Sequence, residues 1–421
     1  MIDRNKQEIQ QKQLKVFCVA TIVFFYVVAL CMASPREMIE GIKQIIVSRD
    51  ALITDYFEIA NYGAAFFNSA MMMTLVVILI NILKIPYLGL TLAALFINAG
   101  FALFGKNPVS ALPILAGTYI YAKLQGVKMS RYLYTSLFGL CLAPLVTEMV
   151  YLLPFSLGIN LIVAIMLGIL IGFVLPPLAM HTASMHMGYN LFNVGFAAGI
   201  LAFIIVCVLQ AFGLESESVF IWREGRPLWL VLILYGYFLM TFLYGLWINK
   251  GKIKPLLKIL RHPGRSVADF ILMDGVGTTL MNMAIVGIFC VSYILLIGGD
   301  LSGPIVGGIL TIFGFAAFGV HLKNFIPCIL GVYLATCLKI FEPTMPAIQL
   351  AALFSAGIAP IAGQFGPIAG LFAGLLHTSV VMCTGKMYSG LNLYNNGFSL
   401  GFVAIIMIPL LESFMKKFKR E

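Results

Sequence analysis

Asparagine pairs that recur in two distant stretches are the residues best suited to bind a solute. Residues 188–199 read Gly-Tyr-Asn-Leu-Phe-Asn-Val-Gly-Phe-Ala-Ala-Gly, and residues 390–401 read Gly-Leu-Asn-Leu-Tyr-Asn-Asn-Gly-Phe-Ser-Leu-Gly. An amide offers donors and an acceptor, and two amides three residues apart share one helix face. The pattern favours a polar site for a small solute or an ion, and interhelical hydrogen bonding is the alternative. The candidate binding residues here are Asn190, Asn193, Asn392, Asn395 and Asn396.

A second candidate site is the junction Gly-Lys-Asn-Pro-Val-Ser at residues 105–110, with its counterpart Gly-Val-His-Leu-Lys-Asn at residues 319–324. A proline at a helix start leaves backbone N–H groups free to face a ligand. Lys106 and Lys323 would add positive charge that attracts an anion. An ordinary turn at the membrane surface is the alternative.

Ionisable residues within apolar stretches form a third group. Acids inside a membrane are costly and usually functional, so we expect Glu148 to take up a proton or a sodium ion. Its repeat partner Gln364, and Asp274 at the start of the second copy, complete the predicted ion-coupling set. For His181, His186 and His377 we expect packing roles. The two former lie five residues apart with no cysteine beside them, which predicts no metal site.

Composition requires a lipid environment for this chain. Of 421 residues, 61% are hydrophobic and only 10% are charged, more apolar surface than a soluble core can hide. The net charge of +10 comes mainly from lysines and arginines at segment ends, which is typical of membrane orientation and gives no sign of nucleic-acid binding. A Gly-x-x-x-x-Gly-Lys-Ser/Thr motif is missing from the sequence, so we expect no nucleotide cofactor.

The duplication extends far beyond the asparagine motif. Asp55 and Asp269 pair at a spacing of 214 (269 − 55), as do Asn68 and Asn282. The sequence Ala143-Pro144 recurs as Ala359-Pro360 at a spacing of 216 (359 − 143). Matched glycine, proline and asparagine residues in a hydrophobic chain are typical of transporters built from internal repeats.

The apolar runs predict an all-α polytopic membrane protein with about fourteen transmembrane segments. Segments 301–320 and 346–362 are interrupted by Gly and Pro, and we expect some segments to be re-entrant or broken. The predicted segments are 15–33, 62–83, 86–104, 108–124, 132–153, 158–180, 189–212, 227–248, 275–297, 301–320, 324–340, 346–362, 367–384 and 392–413.

Fourteen crossings place all four basic regions on one side, which predicts cytoplasmic N- and C-termini in the cytoplasmic membrane. Seven crossings then separate the starts of the two copies, so the repeats are inverted. If one segment of the first copy is re-entrant, they are parallel instead, and that alternative stays open.

Four regions follow from these assignments. Residues 1–54 form an anchor helix and an amphipathic interfacial helix, residues 55–212 the first repeat, residues 213–268 a linking helix and a basic cytoplasmic loop, and residues 269–421 the second repeat with a basic tail. The amphipathic pattern at Met38, Ile42 and Ile45 is typical of a helix lying on the outer membrane surface. The loop 250–265 is expected along the inner surface, attracted to anionic lipid.

Residues 104–117 resemble the Asn-Pro-x-Ser-Gly-Leu-x-Ile-Leu stretch of urea transporters, and Gly390-Leu-Asn-Leu-Tyr-Asn-Asn-Gly resembles their Gly-Leu-x-Gly-Tyr-Asn motif. The resemblance implies an inverted-repeat channel with a narrow polar pore. Ala111 replaces a glycine of that pattern, and His321 begins the second copy's junction where Asn-Pro is expected. The whole chain is more similar to a family of bacterial membrane proteins of unknown function that share the double Tyr/Phe-Asn-x-Gly-Phe motif. The residues this resemblance implies near a pore are Asn107, Pro108, Ser110, Phe192, Asn193, Tyr394 and Asn395, and Asn324 is the counterpart of Ser110.

These observations predict transmembrane transport of a small polar solute or ion through a site between two repeats. Carrier and channel both remain open, and an unpaired Glu148 favours an ion-coupled carrier. The alternative is a non-transporting membrane subunit or sensor, whose asparagine amides would satisfy one another in a closed interface. We expect no enzyme, because the acids and histidines lack catalytic spacing. The expected partners are the solute, membrane lipid and further copies of the chain in a homo-oligomer.

Overall fold

A computed structural model of the protein describes residues 4–50, 53–217, 219–338 and 340–418. These residues form an almost entirely helical chain. The first half contains α1 Arg4–Met32, α2 Pro35–Val47, α3 Tyr56–Ile59, α4 Tyr62–Ile82, α5 Gly89–Phe101, α6 Pro108–Leu124, α7 Leu133–Gly139, α8 Ala143–Leu152, α9 Leu157–Met185 and α10 Asn193–Ala211. The second half contains α11 Leu228–Ile248, α12 Leu256–Ile259, α13 Phe270–Asp274, α14 Val276–Leu296, α15 Gly303–Phe315, α16 Leu322–Leu338, α17 Pro346–Phe354, α18 Ala359–Phe365, α19 Pro367–Thr384 and α20 Asn395–Phe418.

Ten helical segments in the described residues are long and apolar enough to cross a membrane. Three shorter apolar helices, α5, α15 and α16, accompany them. Side chains such as Ile162 and Met166 on α9 are about 60% exposed, which an apolar residue tolerates when the surrounding solvent is lipid. The chain is therefore a multi-pass membrane protein. The ten segments are Asn5–Met32, Tyr62–Ile82, Leu133–Leu152, Leu157–Met185, Asn193–Ala211, Leu228–Ile248, Val276–Leu296, Pro346–Phe365, Pro367–Tyr388 and Asn395–Phe414.

Two of the spanning segments are broken in the middle at equivalent positions. A 3₁₀ turn at Leu140–Leu142 separates α7 from α8, and a 3₁₀ turn at Ser355–Ile358 separates α17 from α18. Pro144 and Pro360 follow these turns in the first turn of the next helix, where a residue without an N–H cannot continue the preceding hydrogen-bond ladder. The interruption predicted within 346–362 is confirmed, and its counterpart lies within 132–153.

Two aspartates link the two halves of the chain by reciprocal hydrogen bonds. The Asp55 carboxylate accepts the N–H of Gly303, the first residue of α15, at 3.0 Å. The Asp269 carboxylate accepts the N–H of Gly89, the first residue of α5, at 2.8 Å. Both pairs keep the spacing of 214 (269 − 55 and 303 − 89). A carboxylate at a helix N-terminus is favoured by the free N–H groups and the positive end of the helix dipole.

The equivalent helices α5 and α15 pack directly on each other through small residues. Gly100 lies against Gly307, where an added Cβ would be 2.2 Å from the Gly307 carbonyl oxygen. A Cβ added to Gly314 would likewise lie 3.2 Å from the Cα of Ala93. Residue numbers rise along one helix as they fall along the other, so the two helices run antiparallel. Close backbone approach of this kind is a common basis of helix association in membranes.

The same asparagine interaction occurs once in each half. The Asn68 amide donates to the carbonyls of Ala102 and Lys106 at 2.7 and 2.9 Å. The Asn282 amide donates to Ala316 and Val320 at 2.8 and 2.9 Å. Each amide satisfies carbonyls left free where the short helix α5 or α15 ends.

The chain is not purely helical, because two short strands join the loops that follow α2 and α10. Strand β1 (Ile53–Thr54) pairs in parallel with β2 (Phe220–Ile221). Arg223 then donates its backbone N–H to Asp55 at 3.1 Å and binds Glu58 at 3.2 Å. Extended loop backbone with free polar groups can be satisfied by such pairing.

The loop after α11 differs from the sequence prediction in its second half. Its lysines, including Lys252 and Lys254, are exposed as expected. Gly264 is buried against the carbonyl of Gly319. The backbone N–H of Ser266 donates to the carbonyl of Gly188 at 3.0 Å. Gly264 therefore packs into the protein, whereas Arg265 beside it remains exposed.

We expect Gly100→Ala to destabilise the protein by about 1–3 kcal/mol, because the new methyl group must displace the backbone of α15. Gly158→Ala is the matched control, since a Cβ at that helical position meets no atom within 4 Å. Thermal unfolding in detergent measures both variants. Equal melting temperatures for Gly100→Ala and the wild type would contradict the close crossing of α5 and α15.

Candidate functional site

The duplicated motifs meet where α10 and α20 begin. A Cβ on Gly195 would lie 3.1 Å from the Cα of Gly397. Gly199 and Gly401 lie against Phe398 and Phe196 of the opposite motif. The glycines of the motif are thus required by close approach between the two copies.

Each motif also completes the broken helix of the other copy. The N–H of Leu191 donates to the carbonyl of Gly357, within the 3₁₀ turn after α17, at 2.9 Å. The N–H of Leu393 donates to the carbonyl of Cys141, within the 3₁₀ turn after α7, at 3.1 Å. Backbone groups freed at a helix break must find partners inside a membrane, and here the partners come from the opposite half.

Asn193 and Asn395 hold their own copy together. The Asn193 carbonyl oxygen contacts the Thr182 hydroxyl and His186 Nε2, each at 2.9 Å, and its amide donates to Ala179 at 2.8 Å. The Asn395 oxygen accepts from the hydroxyls of Thr384 and Tyr388, and its amide donates to Val381. These side chains therefore serve structural hydrogen bonds within their own copy.

Asn190 and Asn392 shape the backbone before each helix. The Asn190 oxygen accepts the N–H of Phe192 at 2.9 Å, and the Asn392 oxygen accepts the N–H of Tyr394 at 3.0 Å. Asn190 also donates to the Gly397 carbonyl of the other copy at 3.1 Å. Such side-chain turns fix the direction of the residue two positions on, which here is Phe192 or Tyr394.

Asn396 belongs to a polar group that exists only in the second copy. Its oxygen lies 3.2 Å from His377 Nε2, and His377 Nδ1 lies 3.0 Å from the Ser399 hydroxyl. All three side chains are buried. The corresponding residues in the first copy, at a spacing of 202 (396 − 194), are the apolar Val194, Leu175 and Ala197.

The centre of the site is aromatic. The rings of Phe192 and Tyr394 lie 5.0 Å apart. Phe192 lies 4.7 Å from Phe315, and Tyr394 lies 5.4 Å from Phe101. Phe101 and Phe315 are equivalent residues, 214 positions apart. We call the four residues Phe101, Phe192, Phe315 and Tyr394 the aromatic cluster.

A cavity of about 190 Å³ opens beside the aromatic cluster. Its walls come from both copies and from the loop that links them, and they include Thr135, Asn193, Ser266, Phe315 and Tyr394. The Tyr394 hydroxyl is buried and has no hydrogen-bond partner in the described chain. A buried hydroxyl without a partner is costly to keep in a folded protein.

Lys106 is buried close to the aromatic cluster. Its ammonium group donates to the Asn98 amide oxygen at 2.8 Å and lies 5.3 Å from the centre of the Phe101 ring. Lys106 is 1% exposed, whereas Lys323 is exposed. Of the two junction lysines that the sequence analysis expected to attract an anion, Lys106 is buried and Lys323 lies on the surface.

The other junction residues cap helices. The Asn107 oxygen accepts the N–H groups of Val109 and Ser110 at 3.0 and 3.1 Å, which caps α6. Asn324 accepts the N–H of His321 at 3.0 Å and donates to Gly319 at 2.9 Å. Of the residues implied near a pore by the urea-transporter resemblance, Phe192, Asn193 and Tyr394 line the cavity, whereas Asn107 and Ser110 are not among its lining residues, nor is Asn324.

The predicted ion-coupling residues are not brought together. Glu148 is not unpaired as expected, because it binds Arg49 at 2.5 Å and accepts from Ser216 at 2.8 Å. Gln364 is exposed. Asp274 contacts His262 at 2.8 Å in the linking region. The sequence could not foresee the Glu148 pair, because Arg49 lies 99 positions away.

Asp50 is a buried acid that the sequence analysis missed. Its carboxylate accepts from the hydroxyls of Tyr56 at 2.6 Å and Thr147 at 3.1 Å, and Ser48 lies at 3.4 Å. Burial raises the pKa of Asp50 to about 7, and the neighbouring charge of Glu148 adds to the rise. Unlike Glu148, Asp50 has only neutral donors, so removing its water shell favours the protonated form.

The Asp50 carboxyl predicts a pH-dependent stability. The folded protein holds its proton more tightly than the unfolded chain, so its contribution to stability falls as pH rises from about 4 through about 7. We expect the wild type to lose stability relative to Asp50→Asn over this range, by about 1.4 kcal/mol for each unit of pKa difference. Melting temperatures between pH 4 and pH 8 test this, with Glu40→Gln as a control for net charge. Parallel profiles for wild type and Asp50→Asn would contradict it.

The matches to known proteins come from one family. A family model described as "Protein of unknown function (DUF1576)" matches residues 34–211 and 248–413, which is most of the chain. No curated protein and no solved structure matches the chain. The family match confirms the similarity to uncharacterised membrane proteins and gives no support to the urea-transporter likeness. The chain belongs to the DUF1576 family of proteins of unknown function.

Proposed function

We propose that this protein transports a small polar solute or ion across the membrane, through a site between two inverted repeats. The observation that carries the proposal is the cavity beside Tyr394, whose walls come from both copies. Transporters with internal repeats bind their substrates at the repeat interface, next to broken helices. Here both breaks, at Leu140–Leu142 and Ser355–Ile358, contact the motif of the opposite copy.

The inverted arrangement is supported by the antiparallel packing of α5 on α15. Fourteen crossings are proposed: the ten long segments, the three shorter apolar helices and α6. Gln11 of α1 contacts Tyr87 at the start of α5 at 2.7 to 2.9 Å, and Tyr244 near the end of α11 contacts Gln13. In the proposed arrangement the starts of α1 and α5 and the end of α11 lie on one side, while β1 and β2 join loops on the other.

The proposed orientation places the basic regions in the cytoplasm. Lys250, Lys252 and Lys254 follow α11 at the end that contacts the first turns of α1. An excess of lysine and arginine in short loops favours the cytoplasmic side. The protein would then lie in the cytoplasmic membrane with both termini inside, and the cavity, lined by Ser266 of the linking loop, would open to the cytoplasm.

A carrier fits the site better than an open channel. Phe192 and Tyr394, equivalent residues from the two copies, lie in contact at the end of the cavity. Passage of a solute would require them to separate, which a rocking of one repeat against the other would achieve. Proton coupling is proposed at Asp50, a buried acid whose described partners are hydroxyl groups, since Glu148 is paired with Arg49.

The alternative of a non-transporting subunit draws support from one observation. The amides of Asn193 and Asn395 donate and accept hydrogen bonds within the protein, as expected of a structural interface. The unpartnered Tyr394 hydroxyl and the cavity beside it favour transport over this alternative. No catalytic step is proposed, and homo-oligomer formation remains a prediction.

Flux into proteoliposomes tests the proposed route. We expect Thr135→Trp to reduce the uptake rate at least about tenfold, because the indole would fill much of the cavity next to Thr135, whereas Thr135→Ser should keep the wild-type rate. Uptake that saturates and responds to a proton or sodium gradient would support the carrier. A folded Thr135→Trp variant with wild-type flux would exclude this route, and no wild-type flux of any solute tested would overturn the function.

A further inference from the structure

Lys106 is held in a fixed place inside the protein. It lies between α5 and α6, and its backbone carbonyl accepts the Asn68 amide at 2.9 Å. Its side chain reaches Asn98 on α5 at 2.8 Å. An ammonium group has three donors, and this amide oxygen is its one hydrogen-bond acceptor among the described contacts.

No acid neutralises Lys106 in the part of the chain that the structure describes. The buried acids are engaged elsewhere. Glu148 binds Arg49, Asp50 accepts from hydroxyl groups, and Asp55 and Asp269 bind backbone N–H groups at helix starts. Lys106 is therefore a buried amine with no acidic partner among the described residues.

Such a residue is expensive to retain. Burial of an unpaired ammonium group is strongly unfavourable, so a buried lysine tends to lose its proton unless an anion lies beside it. Ionisable residues inside membranes usually serve transport. The second copy has apolar residues at both equivalent positions. Val320 stands in place of Lys106 and Ile312 in place of Asn98, each 214 positions later. Both are fully buried, so the fold itself does not require the cation.

One aromatic ring, that of Phe101, lies between the Lys106 amine and Tyr394 of the proposed route. The Phe101 ring is 5.3 Å from the ammonium group and 5.4 Å from the Tyr394 ring. Tyr394 lines the cavity and carries a hydroxyl without a partner. A ligand that passes Tyr394 and displaces Phe101 would meet both an ammonium group and a hydroxyl donor.

We propose that the transported solute is a small anion, such as a short carboxylate or an inorganic anion, and that Lys106 provides its counter-charge. This inference rests on the proposed transport function. Asn98 orients the ammonium group, and Tyr394 contributes a hydroxyl hydrogen bond to the anion. An anionic oxygen accepts charge-assisted hydrogen bonds, which are the stronger kind.

The experiment replaces Lys106 by the residue that the second copy uses. Lys106→Val and the double variant Lys106→Val/Asn98→Ile reproduce the Val320 and Ile312 environment. The matched control is Lys323→Val. It replaces an exposed lysine by valine, the residue type at the equivalent position of the first copy, Val109. Thermal stabilisation in detergent and proteoliposome uptake are measured with acetate, lactate, chloride and phosphate, against neutral acetamide and urea, at constant sodium concentration.

We expect at least one anion to stabilise the wild type and Lys323→Val by mass action, and its binding and uptake to weaken at least about tenfold in the Lys106 variants. Without ligand, the double variant should melt at or above the wild-type temperature, because a buried charge has been removed. Anion binding retained in Lys106→Val would overturn the proposal.

If the variants do not fold, the uptake of anions and of neutral solutes by the wild-type protein tests the proposal. Uptake of acetamide or urea without uptake of any anion would overturn the anion proposal and leave the transport function standing. Uptake of neither class would overturn both. A Lys106→Met variant removes the amine with a side chain closer in size to lysine, and so separates the effect of the charge from the effect of packing.

Discussion

The reciprocal binding of Asp55 and Asp269 to helix starts is the interaction on which the arrangement of the two halves depends. Each carboxylate lies at the entrance to one copy and holds the first turn of a helix from the other. Burial raises the pKa of Asp55 to about 6, so the positive helix end has to offset the loss of water around it. The antiparallel packing of α5 and α15, and hence the position of the aromatic cluster, follows from these two contacts.

The backbone features of the two copies match, whereas several of their buried polar side chains differ. Helix breaks, glycine crossings and asparagine turns occur twice, because both copies must solve the same problem of satisfying backbone groups in lipid. Several buried polar side chains, by contrast, occur in one copy only. Lys106 and Asp50 of the first copy correspond to Val320 and Gly264, and His377 and Asn396 of the second copy correspond to Leu175 and Val194. The two copies thus share their framework and the paired Asp55 and Asp269, and each has polar interior residues of its own.

The sequence predicted the framework because repeated glycine, proline and asparagine residues report backbone constraints directly. The broken segment within 346–362, the lipid-embedded helices and the importance of Gly195 and Gly397 could all be derived from type and spacing. The role of Asn193 could not, since its partners Thr182 and Ala179 are identified only when α9 has folded back. Arg49 and Glu148 are 99 positions apart, and no periodicity links them. Lys106 was recognised as basic, but its lack of a counter-charge is visible only in three dimensions.

The crossing of α10 and α20 has a mechanical consequence. Gly195 lies at the third residue of α10, so nearly the whole helix, through Ala211, extends to one side of the contact. At 1.5 Å per residue this arm is about 24 Å long, and a tilt of about 10° at the glycine pair would sweep its far end by about 4 Å. The glycine pair lets the two backbones meet there, but the rings of Phe398 and Phe196 pack against Gly199 and Gly401 about one turn further along, so such a tilt would have to carry these rings with it.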